Sequence, residues 1–290
     1  MTAPTVSRDR RTPTRVPTGP ARCQPKTVCV PLVGIKGFTY RRVKNDQRDA
    51  ADLADLLRMG RLPEAYIATP HERELRELVR HRAKLVALRS GLTAQVHGVL
   101  AKQGQLPEVS DVFGPTGMTW LRSAPLDVVY RQRIDSLLEL IDAYDGEIDL
   151  FRQMIAHRFT GHRGYRVIQQ ISGVGPTFAA VFVAEIGDVS RFNRPEKLCC
   201  WAGLTPRHRE SDTTVHRGPI TKQGSKLVRW AAIEACQRTR PGSKLAADRT
   251  RIITARGRNI GVVAAARRLL TLVYYGLRDG EIRSLARGAA

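Results

Sequence analysis

Acidic residues are scarce in this sequence of 290 residues. It holds 27 Asp and Glu against 48 Lys and Arg, which gives a formal net charge of +21. The basic residues are spread along the whole chain and are not confined to one tail. Such a distribution favours a polyanionic partner that contacts an extended surface, and nucleic acid is the first candidate.

Cysteines and long apolar runs are also in short supply. Five cysteines, two of them adjacent at Cys199 and Cys200, match neither a disulfide framework nor a metal-binding spacing. We interpret them as reduced, mostly buried thiols of a cytoplasmic protein. No run approaches eighteen uninterrupted apolar residues, and the N-terminus lacks a signal-peptide core, so we expect no membrane span and no membrane partner.

A glycine turn separates two apolar segments in the C-terminal half. Gly173 and Gly175 tolerate unusual backbone angles, and Pro176 suits the first turn of a helix that Gly187 can end. This pattern is typical of a helix-hairpin-helix, whose free backbone N–H groups can bind a phosphate. An ordinary helical hairpin within a core is an equally good interpretation of this motif alone.

A strongly basic segment begins at Pro206, with only Glu210 and Asp212 as acidic members. Glycines punctuate it, so we expect a loop that leads into a helix from Ser225 to Arg238. A basic loop beside a phosphate-binding hairpin has the outline of a phosphodiester site. The candidate DNA-binding residues are Gly173, Gly175, Arg207, Arg209, His216, Arg217, Lys222 and Lys226.

Ser211 is the candidate nucleophile within this segment. Arg209 and Arg217, which can neutralise phosphate oxygens, lie within six residues of it. His208 and His216 lie within the same distance, and either histidine can accept the proton. Ser225, where a helix begins, and Ser190, in a turn, are competing serines. Without further information, simple solvation is the commonest role of a loop serine.

A short helix is predicted from Asn45 or Asp46 to about Met59. It places Asp46 and Asp49 on its apolar face, and two carboxylates three residues apart can share a divalent cation. Capping of the helix N-terminus, with an ion pair to a nearby basic residue, is the alternative.

Two long helices are predicted between these regions. Glu72 to Lys102 has an apolar stripe about 45 Å long, and Val128 to Arg158 carries a heptad seam from Ile134 to Ile155. These helices can pair within the chain, between chains, or both, and the seam predicts a homo-oligomer.

Four C-terminal blocks resemble the transposases of the insertion-sequence one-ten family. They occur in the family's order and read GVGPTFAAVFVAEIGD, RFNRPEKLCCWAGLTP, the serine-bearing basic segment and GPITKQGSKLVRW. The pattern DxxDA at Asp46 and Asp49 is similar to the last two acids of the family's DEDD set. The resemblance runs from about Gly34 to about Leu285.

The resemblance implies a mainly α fold with a partial ribonuclease-H-like α/β remnant. The predicted domains are a disordered tail at 1–27 and a remnant of the RuvC-like DEDD domain at 28–70. Long antiparallel coiled-coil helices follow at 71–160, with an insert at 104–125. The helical C-terminal transposase domain, with its helix-hairpin-helix, covers 161–285.

The resemblance also implies an activity, the cleavage and rejoining of insertion-sequence DNA. Ser211 would be the nucleophile, and Asp46 and Asp49 would hold Mg²⁺ or another divalent cation. The implied partners are the DNA of the element ends and of the target, together with a structured guide RNA.

The sequence departs from the family at two points. Only one acid, Asp9, precedes Asp46, where the family has two further acids of its set, and Asp212 follows Ser211 where the family has glycine. We therefore expect either an N-terminally truncated copy or a start assigned at the wrong position. The alternative function is a catalytically inactive remnant that binds nucleic acid.

Overall fold

Helices dominate the computed structural model, which describes residues 6–8, 28–30, 46–61, 65–211 and 214–286. The prediction of a mainly α protein is confirmed. The chain divides into two units, one that ends at Thr69 and one that begins at Pro70.

The first unit contains two short parallel strands and a helix. Strand β1 (Val6–Arg8) pairs with β2 (Val28–Val30), and α1 spans Asp46–Arg58. Strand β1 lies in the segment 1–27, which the sequence predicts to be disordered. The rest of 1–27 lies outside the described residues.

Helix α1 presents a slightly different face to its unit than the sequence predicts. Leu53 and Leu56 are buried, which centres the apolar face between them. Asp49 is half-buried beside this face, and so is Asp52. Asp46 is exposed in the first turn.

The second unit consists of ten helices and one pair of strands among the described residues. Their order along the chain is α2 (Pro70–Lys102), α3 (Pro115–Ser123), α4 (Val128–Phe159), α5 (Arg163–Ile168), α6 (Pro176–Ile186), α7 (Pro195–Trp201), β3 (Pro206–Ser211), β4 (Thr214–Ile220), α8 (Lys226–Gln237), α9 (Lys244–Arg256), α10 (Arg258–Asp279) and α11 (Arg283–Ala286).

Helices α2 and α4 form a long antiparallel hairpin. A guanidinium nitrogen of Arg158, near the end of α4, donates to Glu74 near the start of α2 at 3.0 Å. Closer to the middle, Arg89 Nε donates to Asp145 Oδ1 at 2.8 Å. These crossed pairs require the two helices to run in opposite directions.

The heptad seam of α4 is buried against the rest of the same chain. Ile134, Leu137, Ile141 and Ile155 are all shielded from solvent. Ile134 and Ile141 share a small core with residues of α2 and α3, whereas Ile155 belongs to the core of the C-terminal helices. Of the pairings that the seam allows, the structure therefore shows the one within the chain.

The C-terminal core is built around α6 and α10. Every residue of α6 from Phe178 to Ile186 is buried, because neighbouring helices cover the helix all round. The hydroxyl of Tyr274 donates to the carbonyl of Phe192 at 2.9 Å, so this tyrosine is a satisfied core residue.

One helix, α10, is long and apolar enough to cross a membrane by length and composition, where the sequence predicts none. It packs against α5, α7, α8 and α9. Leu269, Leu270 and Val273 on this helix are completely buried. In this fold α10 is a core helix of the C-terminal domain.

Candidate nucleic-acid interface

The basic segment after Pro206 is a β-hairpin, which corrects the predicted loop. Strands β3 and β4 pair antiparallel, with Arg209 opposite His216 and Ser211 opposite Thr214. The sequence prediction followed the glycines and missed the β-branched residues of β4, which favour a strand. Asp212, in the turn, lies outside the described residues.

The register of this hairpin groups the candidate residues. Alternate positions on a strand share a face, and residues paired across a ladder share it too. Ser211, Arg209 and His216 therefore hold positions on one face. His208 and Arg217 are paired with each other and hold positions on the opposite face.

Lys222 lies where the chain leaves the hairpin. It is exposed and has a φ of +56°, an unusual conformation for a residue with a side chain. Its N–H donates to the carbonyl of Gly203 at 3.0 Å. The turn after α7 thus holds this lysine in a conformation that it would rarely adopt alone.

Helix α8 begins at the end of this segment. Ser225 is its N-cap, because its Oγ accepts a hydrogen bond from the N–H of Val228 at 3.3 Å. Ser225 is thus a capping residue of α8, at the position where the sequence predicts that a helix begins. Lys226 follows as the first helical residue and is exposed. A cation at a helix N-terminus is unfavourable, and a bound anion would offset that repulsion.

A buried carboxylate, Glu185, fixes this end of α8. It is only 3% exposed and accepts from Arg80 Nε at 2.6 Å and from Ser225 Oγ at 3.0 Å. The hydrogen bond to Glu185 raises the pKa of Arg80. The sequence predicts a solvated Arg80; the signal it overlooks is the single acid in the apolar run of α6.

The glycine turn packs against the other end of α8. Gly173 has a φ of +89°, and a Cβ added there would lie 2.1 Å from the carbonyl oxygen of Ala235. Gly175, the N-cap of α6, has a φ of −83° and nothing within 4 Å of such a Cβ. Only the first of these two glycines is required by packing.

A cleft of about 770 Å³ opens beside this turn. Its lining includes three arginines from distant parts of the chain, Arg82 on α2 and Arg238 and Arg240 after α8. The N–H of Arg240 donates to Ser172 Oγ at 2.8 Å, which ties the chain after α8 to the glycine turn. None of these arginines was a site candidate, because only the fold brings them together.

The two predicted binding features lie at opposite ends of α8, whereas the sequence places them side by side. We call the end at Ser225 and Lys226 the hairpin end, and the end at Ala235 the turn end. The twelve residues of the helix separate them by about 18 Å.

The described residues contain no group of three or more His, Cys, Asp or Glu side chains that could hold a metal ion. Asp46 and Asp49 supply carboxylate oxygens, the ligand type that Mg²⁺ prefers, but two such groups do not complete a site.

The second unit contains three cysteines. Cys199, Cys200 and Cys236 are free, and the first and last are buried. Burial raises the pKa of Cys236 to about 11 and also raises that of Cys199. These two side chains therefore remain protonated at neutral pH and have no thiolate chemistry.

Two family models match this chain. The model described as the transposase IS116/IS110/IS902 family covers residues 165–248, which include the glycine turn, the β-hairpin and α8. A second model, a DEDD transposase of the IS110 type, covers residues 26–103, which include α1 and α2. Together they cover more than half of the chain.

Curated relatives agree with these matches. A Sinorhizobium fredii protein named as transposase y4qE is 28% identical over 197 residues, which is 67% of this chain and 47% of the relative. The transposase for insertion sequence element IS1111A of Coxiella burnetii is 23% identical over 248 residues, 80% of this chain and 66% of the relative. A 43.6 kDa protein of insertion element IS110 from Streptomyces coelicolor is 25% identical over 310 aligned positions, 85% of this chain and 75% of the relative.

The two transposase models, in this order on one chain, define the class of the protein as an insertion-sequence transposase. Within that class, the chain belongs to the IS110 family. It spans about half to three quarters of the length of the relatives described above.

Proposed function

We propose that this chain binds the DNA of insertion-sequence ends and of the target, and cleaves and rejoins it through Ser211. One observation carries the proposal. Ser211 lies beside the turn of a β-hairpin that leads through Lys222 directly to Lys226 at the start of α8. Ser211 lies at the turn of the hairpin and these lysines follow its open end, so DNA bound along the hairpin would have one phosphate at the hydroxyl and neighbouring phosphates near exposed cations.

The proposed reaction proceeds in two exchanges at phosphorus. Oγ of Ser211 forms a bond to phosphorus, and the bond from phosphorus to the leaving sugar oxygen breaks. In the second exchange, the hydroxyl of another DNA end attacks the phosphoserine and releases the serine. Each exchange forms one P–O bond and breaks one, so no water is consumed.

His216 is the proposed proton carrier of these exchanges. It would accept the proton of Ser211 and deliver it to the leaving oxygen. We favour His216 over His208 because the strand register places only His216 on the same face as Ser211. Loss of activity on His208→Gln but not on His216→Gln would contradict this assignment.

Asp46 and Asp49 are the proposed ligands of a divalent cation such as Mg²⁺. When bound, the ion would supply positive charge that polarises the phosphate. The family resemblance further suggests a structured guide RNA. The heptad seam suggests a homo-oligomer, and the cysteine content suggests action in the cytoplasm. The net charge of +21 suits two nucleic-acid partners as well as one.

A trapping experiment tests the role of Ser211. The purified chain is incubated with labelled element-end DNA, Mg²⁺ and any RNA encoded beside the gene, and adducts are resolved on a denaturing gel. We expect a covalent adduct that Ser211→Ala abolishes. Ser190→Ala is the matched control, because Ser190 lies exposed in the turn Val189–Arg191 and its hydroxyl donates to Asp188.

A second candidate function is nucleic-acid binding without strand cleavage. It is favoured by the observation that no three or more His, Cys, Asp or Glu side chains come together among the described residues, whereas the family's metal centre has four acids. In that case the trapping experiment gives no adduct at all, while binding to DNA or structured RNA remains and weakens with added salt.

A further inference from the structure

Arg82 at the turn end of α8 is a cation without a counter-charge in its cleft. It is half-buried on α2, and no described residue offers its buried Nε a hydrogen-bond acceptor. Burial lowers the pKa of Arg82, and the nearby charge of Arg152 lowers it further, against a smaller opposite effect of Asp149. A buried N–H without a hydrogen-bond acceptor is unfavourable, and a bound anion would supply that acceptor.

The cleft gives Arg82 two cationic companions. Arg238 and Arg240 are exposed on the same lining, and no acidic side chain is part of that lining. A carboxylate of Glu234 lies 4.0 Å from Arg238, at the limit of an ion pair. Three arginines without an acid in the cleft form a site for a phosphate group.

A second cavity adjoins the arginine cleft. It measures about 240 Å³, and apolar side chains of α2, α4, α6 and α8 form most of its wall. Four residues line both cavities, so the two cavities are adjacent and share part of their walls. The shared residues are Arg82, Val86, Thr177 and Trp230.

Trp230 is the aromatic member of this shared wall. It is 42% exposed, although it lies on a helix whose other apolar residues are largely covered. The ring of Phe178 meets it edge-on at 5.4 Å between centroids, and the guanidinium of Arg238 lies 5.4 Å from the centroid of Phe178. The indole is thus held in place by one aromatic neighbour and still presents free surface to the cavities.

We propose that the two cavities together bind one unpaired nucleotide of single-stranded DNA. Its phosphate would lie between Arg82, Arg238 and Arg240, and its base would enter the apolar cavity against the indole of Trp230. A base inside a duplex cannot reach such a pocket, whereas an unpaired base stacks on an aromatic ring without strong sequence preference. The inference rests on the proposed function for the choice of DNA. Beyond that function, it specifies that the DNA is single-stranded and assigns it a second binding site.

The test measures fluorescence anisotropy of a labelled single-stranded oligonucleotide, the matching duplex, the matching RNA strand and an abasic single strand. Trp230→Leu should weaken single-stranded binding about tenfold or more and leave duplex binding within twofold, since stacking on an aromatic ring contributes this much per base. Trp230→Phe, which keeps an aromatic face, should restore most of the affinity. For the abasic strand, the difference in affinity between wild type and Trp230→Leu should be smaller than for the strand that carries bases.

The phosphate half of the site needs its own variant. Arg82→Gln should weaken single-stranded binding several-fold and reduce the slope of log K against log salt by about 0.7, the value for one released counterion on a single strand. Arg152→Gln removes the same charge beside the cleft and should change the affinity less than twofold. Thermal melts of each variant confirm that it is folded.

Two outcomes overturn the proposal. Equal single-stranded affinity for wild type, Trp230→Leu and Trp230→Phe would remove the base pocket, and tighter RNA than DNA binding with the same dependence on Trp230 would overturn the assignment to DNA. The Ser211 adduct and duplex binding report on the hairpin end independently. A negative result for the nucleotide site at Trp230 can therefore be distinguished from a failure of the proposed transposase activity.

Discussion

The two ends of α8 are held in the protein by different kinds of contact. At the hairpin end, side chains make the junction, because Glu185 joins Arg80 to Ser225, and the lysines around it remain exposed. At the turn end, backbone meets backbone, because Gly173 approaches the carbonyl of Ala235 too closely for any side chain. The exposed lysines at the hairpin end can therefore be replaced without a steric clash. At the turn end, by contrast, there is no room for a methyl group on Gly173.

The largest expected effect tests this contrast at the turn end. Gly173→Ala should lower the free energy of unfolding by about 2–4 kcal/mol, because the added Cβ meets a carbonyl oxygen at 2.1 Å and φ is +89°. Denaturant titration followed by circular dichroism measures it. Gly175→Ala, in open space with an ordinary φ, should change stability by less than about 1 kcal/mol.

This comparison also changes how the glycines are to be tested for phosphate binding. A double substitution of Gly173 and Gly175 would measure folding as much as binding. Equal destabilisation by the two single substitutions would show that the turn relaxes and that the close approach to α8 is not required.

The second effect breaks the polar junction at the hairpin end. Arg80→Ala leaves Glu185 buried without its cation and should destabilise the protein by about 2 kcal/mol, less than a fully buried pair because Arg80 is partly exposed. Urea denaturation compares it with Arg89→Ala, whose exposed pair with Asp145 should contribute less than about 1 kcal/mol. A cost for Arg80 no greater than that for Arg89 would contradict the view of Glu185 as the anchor.

The features that sequence reasoning located depend on local spacing. The seam from Ile134 to Ile155 needs only the alternation of three and four residues, and Ser225 needs only to precede a helix. The turn at Gly173 follows from glycine and proline chemistry in a few adjacent residues. In each case the physical cause and its consequence lie within a few helical turns of sequence.

The features that it missed depend on contacts between distant segments. The arginine cleft joins Arg82 to Arg238 across more than 150 residues, and nothing local to either one marks it. In the sequence, Glu185 is a single acid in an apolar helix, and its role becomes visible only through its hydrogen bond with Arg80. The β-hairpin was missed for another reason, because its charged strands lack the alternation of apolar and polar residues that marks a half-buried strand.

The third effect separates stability from binding at the hairpin end. Lys226→Gln removes a cation from the positive end of the α8 dipole and should stabilise the fold by about 0.3–1 kcal/mol. The same change should weaken DNA binding, most strongly at low salt, if this lysine contacts phosphate. Thermal unfolding and anisotropy on one sample measure both quantities.

A matched control for Lys226 is Lys244, the first helical residue of α9, which is also exposed and also follows a capping serine. Lys244→Gln should give the same small stabilisation, because the helix geometry is the same. Its effect on DNA affinity should be smaller, since α9 follows the turn end and not the β-hairpin. Equal losses of affinity would point to general electrostatic attraction rather than a site.

The smallest effect concerns acid sensitivity in front of the glycine turn. His162 caps α5, and its Nδ1 accepts from the N–H of Tyr165 at 3.1 Å. Burial, together with the charge of His71, lowers the pKa of His162 below its ordinary value of 6.5, with a weaker opposing backbone hydrogen bond.

The unfolded chain therefore takes up the proton first, so this contribution to stability is complete above about pH 6.5 and is lost as the pH falls toward the folded pKa. His162→Asn keeps a capping acceptor without a titrating group, and its stability should fall less than that of wild type between pH 7 and pH 5. Urea denaturation at the two pH values gives the difference, and an identical loss in both proteins would assign the acid sensitivity to other groups.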